Sequence, residues 1–158
     1  MSEMNRRQFV AAAGAAAVSL YVLSEATEVF AAAAAPTVDV GAASDYSKDG
    51  ITAKWIRKNK FAIVRDNGKI YAVSTKCTHK GCNVNPSGDH FKCPCHGAQY
   101  NADGSIKNGN GKTDTAMFHY GLSTDANGHL IVDTSKQFEQ SKWDDPASFV
   151  AVAGKSDK

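Results

Sequence analysis

The sequence predicts a mostly β fold of small antiparallel sheets. Three observations carry this. Asn67-Gly68 and Asn127-Gly128 each sit between two β-rich runs, and both residue types tolerate the positive φ that tight hairpins demand. The runs themselves are short and rich in Val, Ile, Tyr and Phe. Beyond residue 35 no stretch keeps a 3.6-residue apolar period.

Taken in chain order, residues 1–35 stand apart. Arg6-Arg7 precedes Phe9, and residues 9–23 form an uncharged, alanine-rich apolar run ended by Glu25 and Glu28. Fifteen residues rise about 22 Å as a helix, short of the roughly 30 Å bilayer core. Small residues at 31–35 suit a signal peptidase. The pattern Asn5-Arg6-Arg7-Gln8-Phe9-Val10 resembles a twin-arginine export signal, whose pathway carries folded proteins. The segment reads as a signal, or as a membrane anchor through residues 9–23 if it is kept. The folded domain is expected over 36–140. Within it, residues 51–56 read as a strand, 60–65 and 69–73 as one hairpin, and 118–123 and 129–133 as another. Asp103-Gly104 marks a turn after Gln99-Tyr100. Residues 141–158 read as a C-terminal tail, with Trp143 and Phe149 resting on the surface.

Bulk composition narrows the function. The charged groups, 18 basic and 16 acidic, leave a net +2 and no basic stripe, so nucleic acid is not an expected partner. No glycine-rich phosphate loop, catalytic triad or paired carboxylates stand out, so the chain is not expected to be catalytic alone.

The chemistry concentrates in twenty residues. Cys77-Thr78-His79-Lys80-Gly81-Cys82 is followed by Cys93-Pro94-Cys95-His96-Gly97, and these are the only four cysteines. Thiolates beside imidazoles suit zinc or an iron–sulfur cluster rather than magnesium or calcium. A structural zinc takes four ligands, and six candidates overfill it, so the spacing alone leaves the ligand set open. Gly81, Pro86, Gly88, Pro94 and Gly97 permit sharp loops around a metal. His90, His119 and His129 are expected at the surface without a ligand role. Lys76, Lys80 and Lys92 flank the motifs and read as solvated loop charges.

Together the two motifs, C-x-H-x₂-C and C-P-C-H-G, resemble the Rieske iron–sulfur proteins of the disulfide-containing branch. The resemblance implies the Rieske fold and a [2Fe–2S] cluster held by two loops. It places Cys77 and Cys93 on one iron and His79 and His96 on the other, with Cys82 and Cys95 joined as a disulfide. Neutral imidazoles in place of two thiolates make electron acceptance easier, and ring nitrogens left exposed can take up protons with the electron.

In quinol-oxidising relatives a serine after Cys-His-Gly donates a hydrogen bond to a bridging sulfide, and a tyrosine two residues later donates to a ligand sulfur. This chain has Ala98 and Tyr100 at those places. Losing one donor should lower the potential. Those relatives also carry a proline-rich loop over the cluster; residues 109–114 here contain no proline, so a more flexible loop is expected. The resemblance thus implies an exported one-electron protein, periplasmic or on the outer face of the cytoplasmic membrane. Its expected partners are a cytochrome b-type membrane subunit, a cytochrome c-type acceptor and quinol. The alternative is a soluble exported carrier, or the small subunit beside a molybdenum oxidoreductase large subunit of the arsenite-oxidase type.

Overall fold

The structure is a computed structural model that describes residues 36–153. The expected export segment lies outside those residues. Among the described residues no helix is long and apolar enough to cross a membrane.

Among the described residues eleven strands dominate: β1 (Thr37–Ala42), β2 (Gly50–Thr52), β3 (Phe61–Asp66), β4 (Lys69–Ser74), β5 (Asn85–Ser87), β6 (His90–Lys92), β7 (Gln99–Asn101), β8 (Ile106–Asn108), β9 (His119–Thr124), β10 (His129–Phe138) and β11 (Phe149–Ala151). One helical turn, α1 (Ile56–Asn59), and two short 3₁₀ turns interrupt them. The strands form a seven-stranded sheet in the order β1-β10-β9-β4-β3-β2, with β11 also on β4, and a four-stranded sheet β5-β6-β7-β8. Every pairing is antiparallel.

The first hairpin forms as the Asn-Gly signal predicts. Asp66 pairs with Lys69, and Asn67 and Gly68 between them take φ of 50° and 76°. The second hairpin is closed by Asp125, whose carboxylate accepts the backbone N–H of Asn127 and of His129, both at 2.8 Å.

β3 explains how one sheet serves two cores. Residues 61–65 are all buried, yet their side chains alternate. Phe61 and Ile63 enter a cluster with Trp55, Ile70, Tyr120 and Leu130, whereas Ala62 and Val64 enter another with Val73, Phe91, Tyr100 and Met117. The run therefore lacks polar alternation because both faces are covered. The second cluster contains Cys77 and Cys93, so the small sheet and the larger one meet beneath the cysteine–histidine loops.

Two expectations are corrected here. The strand expected over 51–56 stops at Thr52, and Ile56–Asn59 is helical. Thr52 pairs with Ile63, so a strand continued to Ile56 would have to turn at Arg57-Lys58. A two-residue hairpin there needs positive φ at both residues, which arginine and lysine resist. The chain makes a helical turn instead and leaves it through Lys60 at φ 61°. The second correction concerns the expected tail. β11 pairs with residues 69–71 of β4, Leu122 donates to the Ala147 carbonyl at 2.9 Å, and Val152 donates to the Gly68 carbonyl at 2.9 Å. β4 offers β9 only residues 72 and 73, so its first half would lie open without β11.

Candidate metal centre

The two cysteine–histidine loops are the same backbone turn used twice. In the first, between β4 and β5, Cys77 N–H donates to the Cys82 carbonyl and Gly81 N–H donates back to the Cys77 carbonyl, both at 2.8 Å. In the second, between β6 and β7, Cys93 N–H donates to the Ala98 carbonyl at 2.8 Å and Gly97 N–H to the Cys93 carbonyl at 3.0 Å. Each turn closes five residues after its leading cysteine. Each places a glycine four residues after it, at φ 70° in Gly81 and 76° in Gly97, where a side chain would be strained. The histidine falls two residues after the cysteine in one loop and three after in the other.

This framework pairs the residues expected as ligands, thiol with thiol and imidazole with imidazole. Cys77 and Cys93 are free thiols, 3% and 1% exposed. The rings of His79 and His96 lie 4.7 Å apart between centroids, edge to face. His96 is exposed and His79 half-buried. Cys82 and Cys95 form a disulfide that joins the first loop to the second, and Cys93 Sγ lies within 4.8 Å of both its sulfurs.

The electrostatics suit a metal. Burial pushes the Cys77 thiol up. The Tyr100 hydroxyl, the His79 N–H, the Cys93 thiol and the Lys80 N–H outweigh it, and the thiol lies below its ordinary pKa. Burial, then His96, Lys80 and Lys112, hold His79 below the usual histidine range, so its ring is neutral. His79 Nδ1 is buried with no hydrogen-bond partner. A buried, unpartnered ring nitrogen is costly unless something binds it. Together with the two buried thiols on the same pair of loops, this donor set fits an iron–sulfur cluster with mixed thiolate and imidazole ligation.

Tyr100 is fully buried, and its hydroxyl lies 3.2 Å from Cys77 Sγ and 3.1 Å from the donating Thr78 N–H. Burial and the neighbouring Cys77 push its pKa to about 12, so it remains a donor. Ala98 is buried and brings no hydroxyl; its carbonyl closes the second loop.

The loop of residues 109–114 was expected to be loose without proline. Hydrogen bonds brace it instead. Asn110 Nδ2 donates to the His96 carbonyl at 2.7 Å, and the Thr113 and Thr78 hydroxyls meet at 2.8 Å. Asn110, Thr113 and Thr78 are contacts that the sequence reading missed. Thr78 had a signal in its place between Cys77 and His79, and Asn110 and Thr113 had one in their place on the loop expected over the cluster. Lys76, Lys80 and Lys92 are exposed, as expected of loop charges.

One expectation fails among the other histidines. His119 is fully buried rather than on the surface. Its Nε2 donates to the Asp103 carbonyl at 2.7 Å, and its ring lies parallel to Trp143 at 4.1 Å between centroids. Trp143 and Tyr71 cover it because the C-terminal segment folds back along β4. Burial drives its pKa down to about 4. His90 and His129 are half-buried and paired with Asp89 and Asp39, respectively.

Comparison with known proteins agrees with this geometry. The family model described as the Rieske [2Fe-2S] domain matches residues 37–119, just over half of the chain. The cytochrome b6-f complex iron-sulfur subunit 2 of Synechocystis sp. is 31% identical over 109 residues, covering 66% of this chain and 59% of that subunit. The matched region thus spans less than two thirds of that relative's length. Among solved structures, the cyanobacterial plasma membrane Rieske protein PetC3 from Synechocystis is 29% identical, with 60% of this chain and 97% of that one covered, at a TM-score of 0.45. The quaternary ammonium Rieske monooxygenase CntA shares the fold at 19% identity and a TM-score of 0.50, over 62% of this chain and 31% of that one. The doubled loop, its buried thiols and paired imidazoles thus belong to a chain that the family model recognises across its core: the protein is a member of the Rieske [2Fe-2S] domain family, and its cofactor is a [2Fe-2S] cluster.

Proposed function

We propose that the protein transfers single electrons as the exported iron–sulfur subunit of a quinol:cytochrome c-type oxidoreductase. In this reading Cys77 and Cys93 hold one iron and His79 and His96 the other. The observation that carries it is the pair of imidazoles, 4.7 Å apart, with His79 Nδ1 buried and unpartnered and His96 exposed. When bound, the cluster supplies a one-electron acceptor in the Rieske range of about −150 to +300 mV.

The chain's own residues do the rest. Buried Cys77 and Cys93 keep water from the sulfur side, so the exposed imidazole side is the face open to a donor. With Nδ1 of His79 engaged, its ring proton sits on Nε2. His96, at the exposed tip, would accept a hydrogen bond from a quinol hydroxyl at its outer ring nitrogen when that nitrogen is deprotonated, and would take up the quinol proton there, becoming the neutral imidazole, as the electron leaves. The disulfide holds the two loops in register and suits an oxidising compartment, the periplasm or the outer face of the cytoplasmic membrane. The partners on this reading are a cytochrome b-type membrane subunit and a cytochrome c-type acceptor, since the Synechocystis relative is a cytochrome b6-f subunit.

Buried Ala98 and the proline-free loop support a second reading, a soluble exported carrier or the small subunit of a molybdenum oxidoreductase. An EPR-monitored redox titration at several pH values tests the electron-transfer role. The expected result is a Rieske signal in the reduced protein and a potential that falls as pH rises into the alkaline range. A reduced protein without such a signal removes the cluster assignment, and a pH-independent potential removes the proton-coupled step. Co-purification with a membrane cytochrome b separates the first reading from the second.

A further inference from the structure

We propose that Thr113 is a positioning residue: by donating to Thr78 it biases the Tyr100 hydroxyl proton towards Cys77 Sγ and so raises the potential of the centre. The inference rests on Cys77 being a cluster ligand.

Thr78 Oγ1 sits at the centre of a small proton network. This oxygen has three neighbours: the Thr115 carbonyl at 2.7 Å, Thr113 Oγ1 at 2.8 Å and Tyr100 Oη at 3.0 Å. A carbonyl only accepts, so the single Thr78 hydroxyl proton goes to Thr115. Towards the other two neighbours Thr78 Oγ1 can then only accept. Thr113 Oγ1 already accepts the Thr115 N–H at 3.2 Å, which leaves its own proton to donate to Thr78. Tyr100 Oη already accepts the Thr78 N–H, so its one proton has two destinations, Thr78 Oγ1 and Cys77 Sγ at 3.2 Å. Thr78 Oγ1 has two acceptor lone pairs, and the proton from Thr113 takes one of them. An oxygen that already accepts one proton is a weaker acceptor for a second, so Thr113 tilts the Tyr100 proton towards the sulfur.

The backbone delivers Thr113 to this place. The Lys112 N–H donates to the Gly109 carbonyl at 2.9 Å, and Asn110 anchors the same loop to the His96 carbonyl. A Cβ on Gly109 would stand 1.7 Å from the Thr113 carbonyl oxygen, so the close approach that turns the loop requires glycine there. Hydrogen-bonding side chains thus hold a loop that has no proline. A donor aimed at a ligand sulfur favours the more negative, reduced state.

The test uses the full chain with its cluster. Thr113→Val keeps the shape and removes the hydroxyl, Thr113→Ala removes it with less steric demand, and Thr113→Ser restores it. Both hydroxyl-free variants should lower the reduction potential by less than Tyr100→Phe does, and the serine variant should stay at the wild-type value. In a Tyr100→Phe background, Thr113→Val should produce no further shift. An unmoved potential in the hydroxyl-free variants, or an equal drop in the Tyr100→Phe background, overturns the proposal. A Rieske EPR signal retained in every variant keeps that result apart from failure of the ligand assignment, which shows as no signal in the wild-type protein.

Discussion

The Tyr100 hydroxyl and the Cys77 sulfur lie 3.2 Å apart although 23 residues separate them in the chain. The contact crosses from the small sheet to the first loop and is sealed from water on both sides, since Tyr100 is fully buried and Cys77 nearly so. A neutral donor in a dry site acts on the charge of its acceptor more strongly than it would in water.

Tyr100→Phe removes that donor, and with it the acceptor of the Thr78 N–H. A hydrogen bond of this kind is worth about 1 kcal/mol net. If that difference falls on the reduced state, the one-electron potential drops by about 40 mV. Voltammetry of the variant checks this, and a potential equal to wild type contradicts it.

Ala98→Ser is the opposite experiment. Position 98 is buried and its carbonyl already closes the second loop, so only the side chain changes. An added hydroxyl, one atom larger, that reaches the cluster should raise the potential by a similar few tens of millivolts. A downward or absent shift would show that the hydroxyl finds another acceptor.

Replacing Cys82 and Cys95 together by serine should cost about 2–4 kcal/mol of stability, the usual contribution of a native disulfide. Because this bridge is the covalent tie between the two loops, the loss should fall first on the centre. The expected sequence on heating is disappearance of the Rieske EPR signal before the far-UV signal of the sheet. Simultaneous loss at the wild-type temperature would mean that the sheets alone hold the loops.

His119 makes stability fall in mild acid. Burial depresses its folded pKa to about 4, below the ordinary histidine value of about 6.5. The unfolded chain therefore binds its proton more readily. The contribution is fully present above about pH 6.5 and is lost as pH falls through about 4; a shift of this size is worth up to about 3 kcal/mol. The unpartnered Nδ1 is the reason, since a proton there would be buried without an acceptor. His129 works the other way. The hydrogen bond that it donates to the Asp39 carboxylate raises its pKa, so that contribution is present in acid and lost as pH rises through the raised value. Urea denaturation at pH 7 and at pH 4.5 should show the acid loss in the wild-type protein and a smaller one in His119→Gln. An equal loss in both places the sensitivity elsewhere.

The readable parts of this molecule were those encoded by neighbours in the chain. Asn67-Gly68 announced its hairpin because a two-residue turn depends on two residues. Tyr100 was legible as a donor only through its offset from Cys-His-Gly. Trp143 carried no signal at all, because its partner His119 lies 24 positions earlier and meets it only when β11 folds onto β4. The turn at Ile56–Asn59 was misread as strand for a related reason: the register of β2 on β3 decides where the chain must reverse.

By itself, then, the sequence determined the family, the cofactor and the mostly antiparallel β class, because cysteine and histidine spacing within a six-residue turn is local geometry. Only the tertiary structure decided that His119 is interior, that the C-terminal segment completes the sheet, and that Thr113 and Asn110 brace the loops. Those contacts join residues 14 to 82 positions apart. They form where packed sheets bring distant segments together, and no period or spacing in the chain records them.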